Sequence, residues 1–255
     1  MKLTRELPRR DFIAIIISLG GITLLSWLYL LLMAANMSMC DGMAAMQVRP
    51  WDVGYFLMMY LMWAVMMVGM MLPSVTPMVL IYAAVAKKST MQGMPVAPTA
   101  AFVFGYIAMW LIFSLFATIA QWVLDQAALL SPMMVSNSVV LGAVLLIAAG
   151  IYQWLPIKDK CLHHCRSPVH FITTHWRPGS IGAFRMGLSH GAFCLGCCWV
   201  LMSLLFVGGV MNILWIAAIT LFVLLEKVLP LGDLGGRMMG LLMVTAGGII
   251  AFIGT

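Results

Sequence analysis

The chain has 255 residues, 64% of them hydrophobic and 9% charged, with a mean hydropathy of +1.06. A soluble domain carries about 25% charged residues, so this composition excludes a water-soluble globular domain and belongs to the bilayer. The formal net charge of +6 follows membrane topology along the chain rather than forming a basic patch, and no nucleic-acid partner is expected.

Crossing the hydrocarbon core takes roughly 20 apolar residues. Apolar stretches at about 12–35, 53–86, 99–124, 137–156, 187–209, 212–230 and 237–254 each predict a transmembrane helix. The fold expected is all-α, a polytopic bundle of about seven helices forming one transmembrane domain over residues 1–255. The first stretch follows the basic segment "MKLTRELPRR" and outruns the 7–15 apolar residues of a signal peptide, so it reads as an anchor. With the N-terminus in the cytoplasm, every Lys and Arg except Arg49 falls at the inner side. That asymmetry predicts N-terminus in, C-terminus out, in a bacterial inner membrane.

Next come the methionines, 25 in all. The outer loop 36–52 offers Met37, Met39, Cys40, Asp41, Met43 and Met46, spaced closely enough for several thioethers to meet at one ion. In the second apolar stretch, Met58, Met62, Met66 and Met70 recur every four residues and share one helical stripe. Thioethers are neutral, soft donors that select Cu(I) and suit an oxidising outer face. Methionine is also a flexible gap-filler, and on this stripe packing is the stronger competitor. Pro73 and Pro77 loosen the inner half of the same helix and free carbonyls.

The inner loop 157–186 opens with "IKDKCLHHCRSP", which places Cys161, His163, His164 and Cys165 together. Thiols at i and i+4 share a helical face, yet C-x₃-C alone is half a tetrahedral site. The reducing cytoplasm disfavours a structural disulfide there. Folded against the inner end of the fifth helix, this loop would share its metal; an incidental pairing of Cys and His in a solvated loop is the plainer alternative.

The fifth stretch reads "GLSHGAFCLGCCWVLM". At 100° per residue, His190, Cys194 and Cys197 fall within about a 60° arc, with Cys198 slightly to one side. One imidazole and three thiols on a stripe exceed what packing of small apolar side chains calls for. The turn "GVMN" is so short that the fifth and sixth helices must be antiparallel neighbours, which sets Glu226 near the depth of His190. There it would orient the imidazole, ligate directly or carry protons; a Glu226–Lys227 pair at the membrane edge is the simpler reading.

"CLHHCRSP", "GLSHGAFCLGCCWVLM", "FVGGVMN", "EKVLPLG" and "MWAVMMVGMMLPS" together resemble a bacterial family of predicted metal-binding integral membrane proteins, defined by a domain of unknown function. The resemblance covers nearly all of the chain beyond the first helix. It implies ligand positions at Cys161, Cys165, His190, Cys194, Cys197 and Cys198, with Glu226 as the acidic position.

The first expectation for function is therefore a membrane protein that binds a soft metal, with copper(I) foremost and another soft or transition metal in reserve. It would transport, handle or deliver that ion, through the thiols of the fifth helix and a methionine-rich outer approach, to a cuproenzyme or metallochaperone partner. No G-x-x-x-x-G-K-[ST] motif appears, so movement would be downhill, proton-coupled or driven by a partner. A membrane thiol–disulfide oxidoreductase built on the C-x-x-C is the alternative. A membrane metalloenzyme with an open coordination position comes third, and an enzyme is the less favoured class.

Overall fold

The structure is a computed structural model and describes residues 7–40, 51–131, 134–229 and 232–253, with backbone alone for 37–40, 232 and 233. Its helices are α1 (Arg9–Cys40), α2 (Val53–Met91), α3 (Thr99–Gln126), α4 (Val139–Tyr152), α5 (Pro156–Arg166), α6 (Pro168–His175), α7 (Gly179–Ser203), α8 (Leu205–Gly208), α9 (Ile213–Val228) and α10 (Gly232–Ile253). Among the described residues there is no strand, only an isolated bridge between Leu130 and Ser136. The chain is an all-α polytopic membrane protein.

All seven expected spans are helical, but their lengths correct the count. Among the described residues, five helical segments are long and apolar enough to cross a bilayer alone, Arg9–Asn36, Val53–Met91, Thr99–Gln126, Gly179–Gly208 and Leu234–Ile253, and the bent pair α4 and α5 makes a sixth if it counts as one span. α4 has 14 residues and α9 has 16. At 1.5 Å per residue each falls short of the roughly 30 Å hydrocarbon core. The chain bends by 65° between α4 and α5, because Pro156 has no N–H to continue α4 and instead opens a new helix. The expected fifth span also begins earlier, at Gly179, since the helix continues through Arg185 where hydropathy falters.

Local chemistry explains where helices start and how α2 survives its prolines. Asp52 caps α2 by accepting from Tyr55 N at 2.7 Å, Ser138 caps α4 through Leu141 N at 3.2 Å, and Asn212 caps α9 through Trp215 N at 3.2 Å. Pro73 cannot donate to the carbonyl of Gly69, and Trp27 Nε1 of α1 donates to it instead at 3.3 Å. The missing helical bond becomes a tie between α1 and α2.

Helix contacts fix the ends of the bundle. Lys87 pairs with Asp11 at 2.6 Å, so the start of α1 and the end of α2 share one end, where Arg9, Arg10, Lys87 and Lys88 gather. We call this the basic end. At the opposite end Trp51 Nε1 donates to Asp125 at 2.6 Å, and Ser136 N donates to Phe206 O at 2.9 Å.

α3 and α7 pack closely because glycines line their seam. A Cβ on Gly187 would sit 1.9 Å from Phe102 O, and one on Gly105 would sit 2.1 Å from Phe184 O. α4 and α10 meet in the same way: a Cβ on Gly150 would lie 2.6 Å from Gly240 O. α7 and α9 are joined through Gly209 at φ +94°, a left-handed conformation that glycine adopts freely.

The segment after α4 is packed against α7, as a loop folded on the fifth helix requires and a solvated loop does not. α5 lies along α7 so closely that a Cβ on Gly196 would be 2.7 Å from Cys161 Sγ, and Leu162 and Lys158 are buried. The bend after α4 turns this segment back into the bundle.

Candidate metal centre

The sulfur-bearing face of α7 points into the protein. His190, Cys194, Cys197 and Cys198 are all buried, against α3 on one side and α5 on another. The close seam with α3 puts Tyr106 beside Cys194, its hydroxyl 3.1 Å from the sulfur, and the same hydroxyl donates to Met71 O of α2 at 3.3 Å.

A second polar group reaches the same sulfur. Lys227 Nζ of α9 donates to Cys194 Sγ at 2.9 Å and to Ser74 Oγ of α2 at 3.3 Å, with Met71 Sδ 3.9 Å away. An ammonium at hydrogen-bonding distance is the partner a thiolate requires, and the thiolate is the form that binds metal. Lys227 and Cys194 stand about equally far from the 209–212 turn along the α7–α9 hairpin, which accounts for their meeting.

The other thiols cluster around this one. Cys197 Sγ and Cys198 Sγ each donate to Cys194 O at 3.0 Å, folding back along the helix. From α5, the half-buried Cys165 packs against the core cluster that holds Cys194 and Cys197. Cys161, also half-buried, faces Gly196. Two separate helices thus bring sulfur to one locality, and all five described cysteines are free thiols.

His190 lies one turn before Cys194, ringed by Phe102, Tyr106 and Phe171, with centroid separations of 6.1, 6.0 and 5.1 Å. Its Nδ1 is buried without a hydrogen-bond partner. Buried polar atoms rarely stay unpaired in native proteins, so this nitrogen marks a place where a partner belongs.

Glu226 turns away from this imidazole. Its carboxylate pairs with Lys158 of α5, whose ammonium also bonds Gln153, and Gly236 of α10 leaves room for it. Arg166 donates to the Glu226 carbonyl through Nε at 2.8 Å and Nη2 at 2.5 Å. Glu226 thereby fastens α5 to α9, the attachment that holds Cys161 and Cys165 against α7.

His163 and His164 sit outside the thiol group, with His170 and His175 of α6. The ring of His164 stands 6.2 Å from His163, 6.2 Å from His170 and 6.3 Å from His175, and stacks on Phe193 at 4.2 Å. On α2, Met62, Met66 and Met70 are buried in the core, while Met58 is 38% exposed. Asp41, Met43 and Met46 lie outside the described residues, as do the side chains of Met37, Met39 and Cys40 at the end of α1.

Among the described residues, no three His, Cys, Asp or Glu side chains already stand around one point in the manner of a metal site. What the structure holds is a donor set under an organic cation: soft thiols, an orphaned imidazole nitrogen, and Lys227 on the central sulfur. That set, led by thiols and with no carboxylate on the central sulfur, fits a soft, thiophilic ion better than Mg²⁺ or Ca²⁺. Sequence reasoning passed over Tyr106 and considered Lys227 only as a partner of Glu226 at the membrane edge. Counting both helices outward from the "GVMN" turn is the signal that pairs Lys227 with Cys194.

No curated protein matches the chain, and no solved structure does. Residues 60–250 match the family model of PpoB2, described as a copper chaperone, and this region holds both α5 and the whole of α7. The soft donors on α7 and the copper of that family agree in chemistry. The chain therefore belongs to the PpoB2 copper chaperone family.

Proposed function

We propose that this protein holds Cu(I) in the bacterial inner membrane on thiolates of Cys194, Cys197 and Cys165 and delivers it to a partner cuproenzyme or metallochaperone. The observation that carries this reading is the close packing of α5, with Cys161 and Cys165, along the sulfur-bearing α7, where the Lys227 ammonium lies 2.9 Å from Cys194 Sγ. Cys198, Cys161 and the Nδ1 of His190 flank these three and would serve as alternative donors while the ion moves. Lys227 acts as a resident counter-cation: it leaves the sulfur when Cu(I) arrives and returns when the ion departs. A charged sulfur within a bilayer is then never without a partner.

Glu226 is a positioning residue in this scheme, holding α5 in place through Lys158. Met37, Met39 and Cys40 at the end of α1, with Asp41, Met43 and Met46 after it, collect the ion, and Met58, Met62, Met66 and Met70 line its approach. His163 and His164 lie on the side from which a partner would take it. One transmembrane domain spans residues 1–255, with the basic end in the cytoplasm.

The test is copper analysis on the full-length protein, purified under reducing conditions in detergent, beside a thiol count. Wild type should bind Cu(I) with its thiols reduced, and Cys194→Ser/Cys197→Ser should lose more than about 100-fold in affinity, since even outer-shell changes cost 10–100-fold. Unchanged copper in the variant, or a metal-free protein cycling a Cys194–Cys197 disulfide, would overturn the proposal.

A further inference from the structure

A second convergence of sulfur lies at the opposite end of the bundle and contains no cysteine. Gln121 of α3 is a buried amide inside an apolar span. Its Oε1 accepts from Trp63 Nε1 of α2 at 2.6 Å. Its Nε2 faces two thioethers, Met59 Sδ at 3.5 Å and Met134 Sδ at 3.3 Å. The sulfurs come from different elements, α2 and the α3–α4 connection. Two thioethers bracketing one side-chain nitrogen is an arrangement that apolar packing does not require.

Met134 itself is held in an uncommon conformation. Met134 has φ +57°, in the left-handed region that side chains other than glycine, asparagine and aspartate seldom adopt. Its backbone N donates to Ser131 O at 2.8 Å, and Ser136 N donates across to Phe206 O of α8 at 2.9 Å. Strain of this kind persists only where the surroundings impose it, and it gathers at ligand sites. Here it buries a thioether against an amide that is already bonded to an indole.

We propose that Met59, Met134 and Gln121 form a second ion site, selective for monovalent soft cations, Cu(I) or Ag(I). Thioethers are neutral and bind without losing a proton, and they discriminate against the harder ions that carboxylates and water prefer. The N–H···S contacts of the Gln121 amide are weak, so the amide keeps the sulfurs in place until an ion takes its position between them. Asp125, one turn along α3, supplies negative charge nearby and is itself oriented by Trp51 at 2.6 Å. The site would receive the ion at this end of the bundle before it reaches the thiols. It rests on the same soft-metal chemistry as the thiol centre and shares none of its residues.

Ag(I), which has no redox chemistry to complicate the reading, is the probe. The full-length protein carries methyl-¹³C methionine and is titrated in detergent at pH 5.5, where thiols compete with protons and thioethers do not. Two methionine methyl resonances should shift together, the ones missing from Met59→Leu and from Met134→Leu. In the Cys194→Ser/Cys197→Ser background, the double methionine variant should bind Ag(I) at least tenfold more weakly at that pH. Cys194→Ser/Cys197→Ser should keep the response, so failure here and failure of the thiol centre are separable. Leu conserves volume, and either single variant suffices if the double one does not fold. Methionine resonances in wild type that do not move at pH 5.5, or an unaltered affinity in the double methionine variant in that background, would overturn the site.

Discussion

The thiols of α7 and three methionines of α2, Met62, Met66 and Met70, are equally buried, yet the protein treats them differently. Cys194 has an ammonium and a hydroxyl on its sulfur, and Cys197 and Cys198 are bonded to a backbone carbonyl. Met62, Met66 and Met70 sit in the hydrophobic core. Ionisation is the difference. A thiol that must become a thiolate needs a compensating charge inside a bilayer, whereas a thioether is a donor with no charge to balance. Under the proposed function, the ion therefore approaches on thioethers and is held on thiolates.

Breaking the attachment of α5 should have the largest effect, since it takes Cys165 from the centre. Glu226→Gln or Lys158→Met leaves one buried charge alone and should cost about 3–5 kcal/mol. Thermal unfolding measures that loss, and alkylation of Cys165 should quicken in parallel. Lys158→Met/Glu226→Met should recover most of the stability; if Glu226→Gln melts like wild type, the pair does not hold α5.

A smaller effect sharpens the contrast in ionisation. In Lys227→Met the thiol has lost its counter-cation and starts protonated, so Cu(I) uptake should release about one more proton per ion than in wild type. Proton release in weakly buffered detergent solution reads this directly. An unchanged count would remove Lys227 from the exchange.

The smallest effect is expected from α2. Met62→Leu, Met66→Leu and Met70→Leu should each alter stability by less than about 1.5 kcal/mol, because volume is conserved. Combined, they should slow the arrival of Cu(I) at the thiols without altering the final occupancy. A loading rate equal to wild type would assign the stripe to packing alone.

Much of the fold is legible in particular residues. Asp52, Ser138 and Asn212 announce helix starts, and Pro73 announces a freed carbonyl, though not that Trp27 would take it. The bend before Pro156 is marked by the proline, but hydropathy runs through it and merges α4 with the start of α5. Gly187 and Gly105 are visible as small residues, while their pairing across one seam is a tertiary matter. In the candidate site, the α7 stripe follows from helical periodicity alone. Glu226 signals that an intramembrane charge must have a partner, but Lys158 lies 68 positions away in the chain, beyond any periodic argument.

Hydropathy and helical period are local properties, and they suffice to specify a helical membrane protein, its apolar segments and the shared face of His190, Cys194 and Cys197. They do not specify that α5 folds back beside α7, that Lys227 rather than Glu226 meets Cys194, or that Met59 and Met134 flank Gln121. Those outcomes depend on which helices approach closely and how deep each ends, and such distances arise from side-chain packing between segments far apart in the chain.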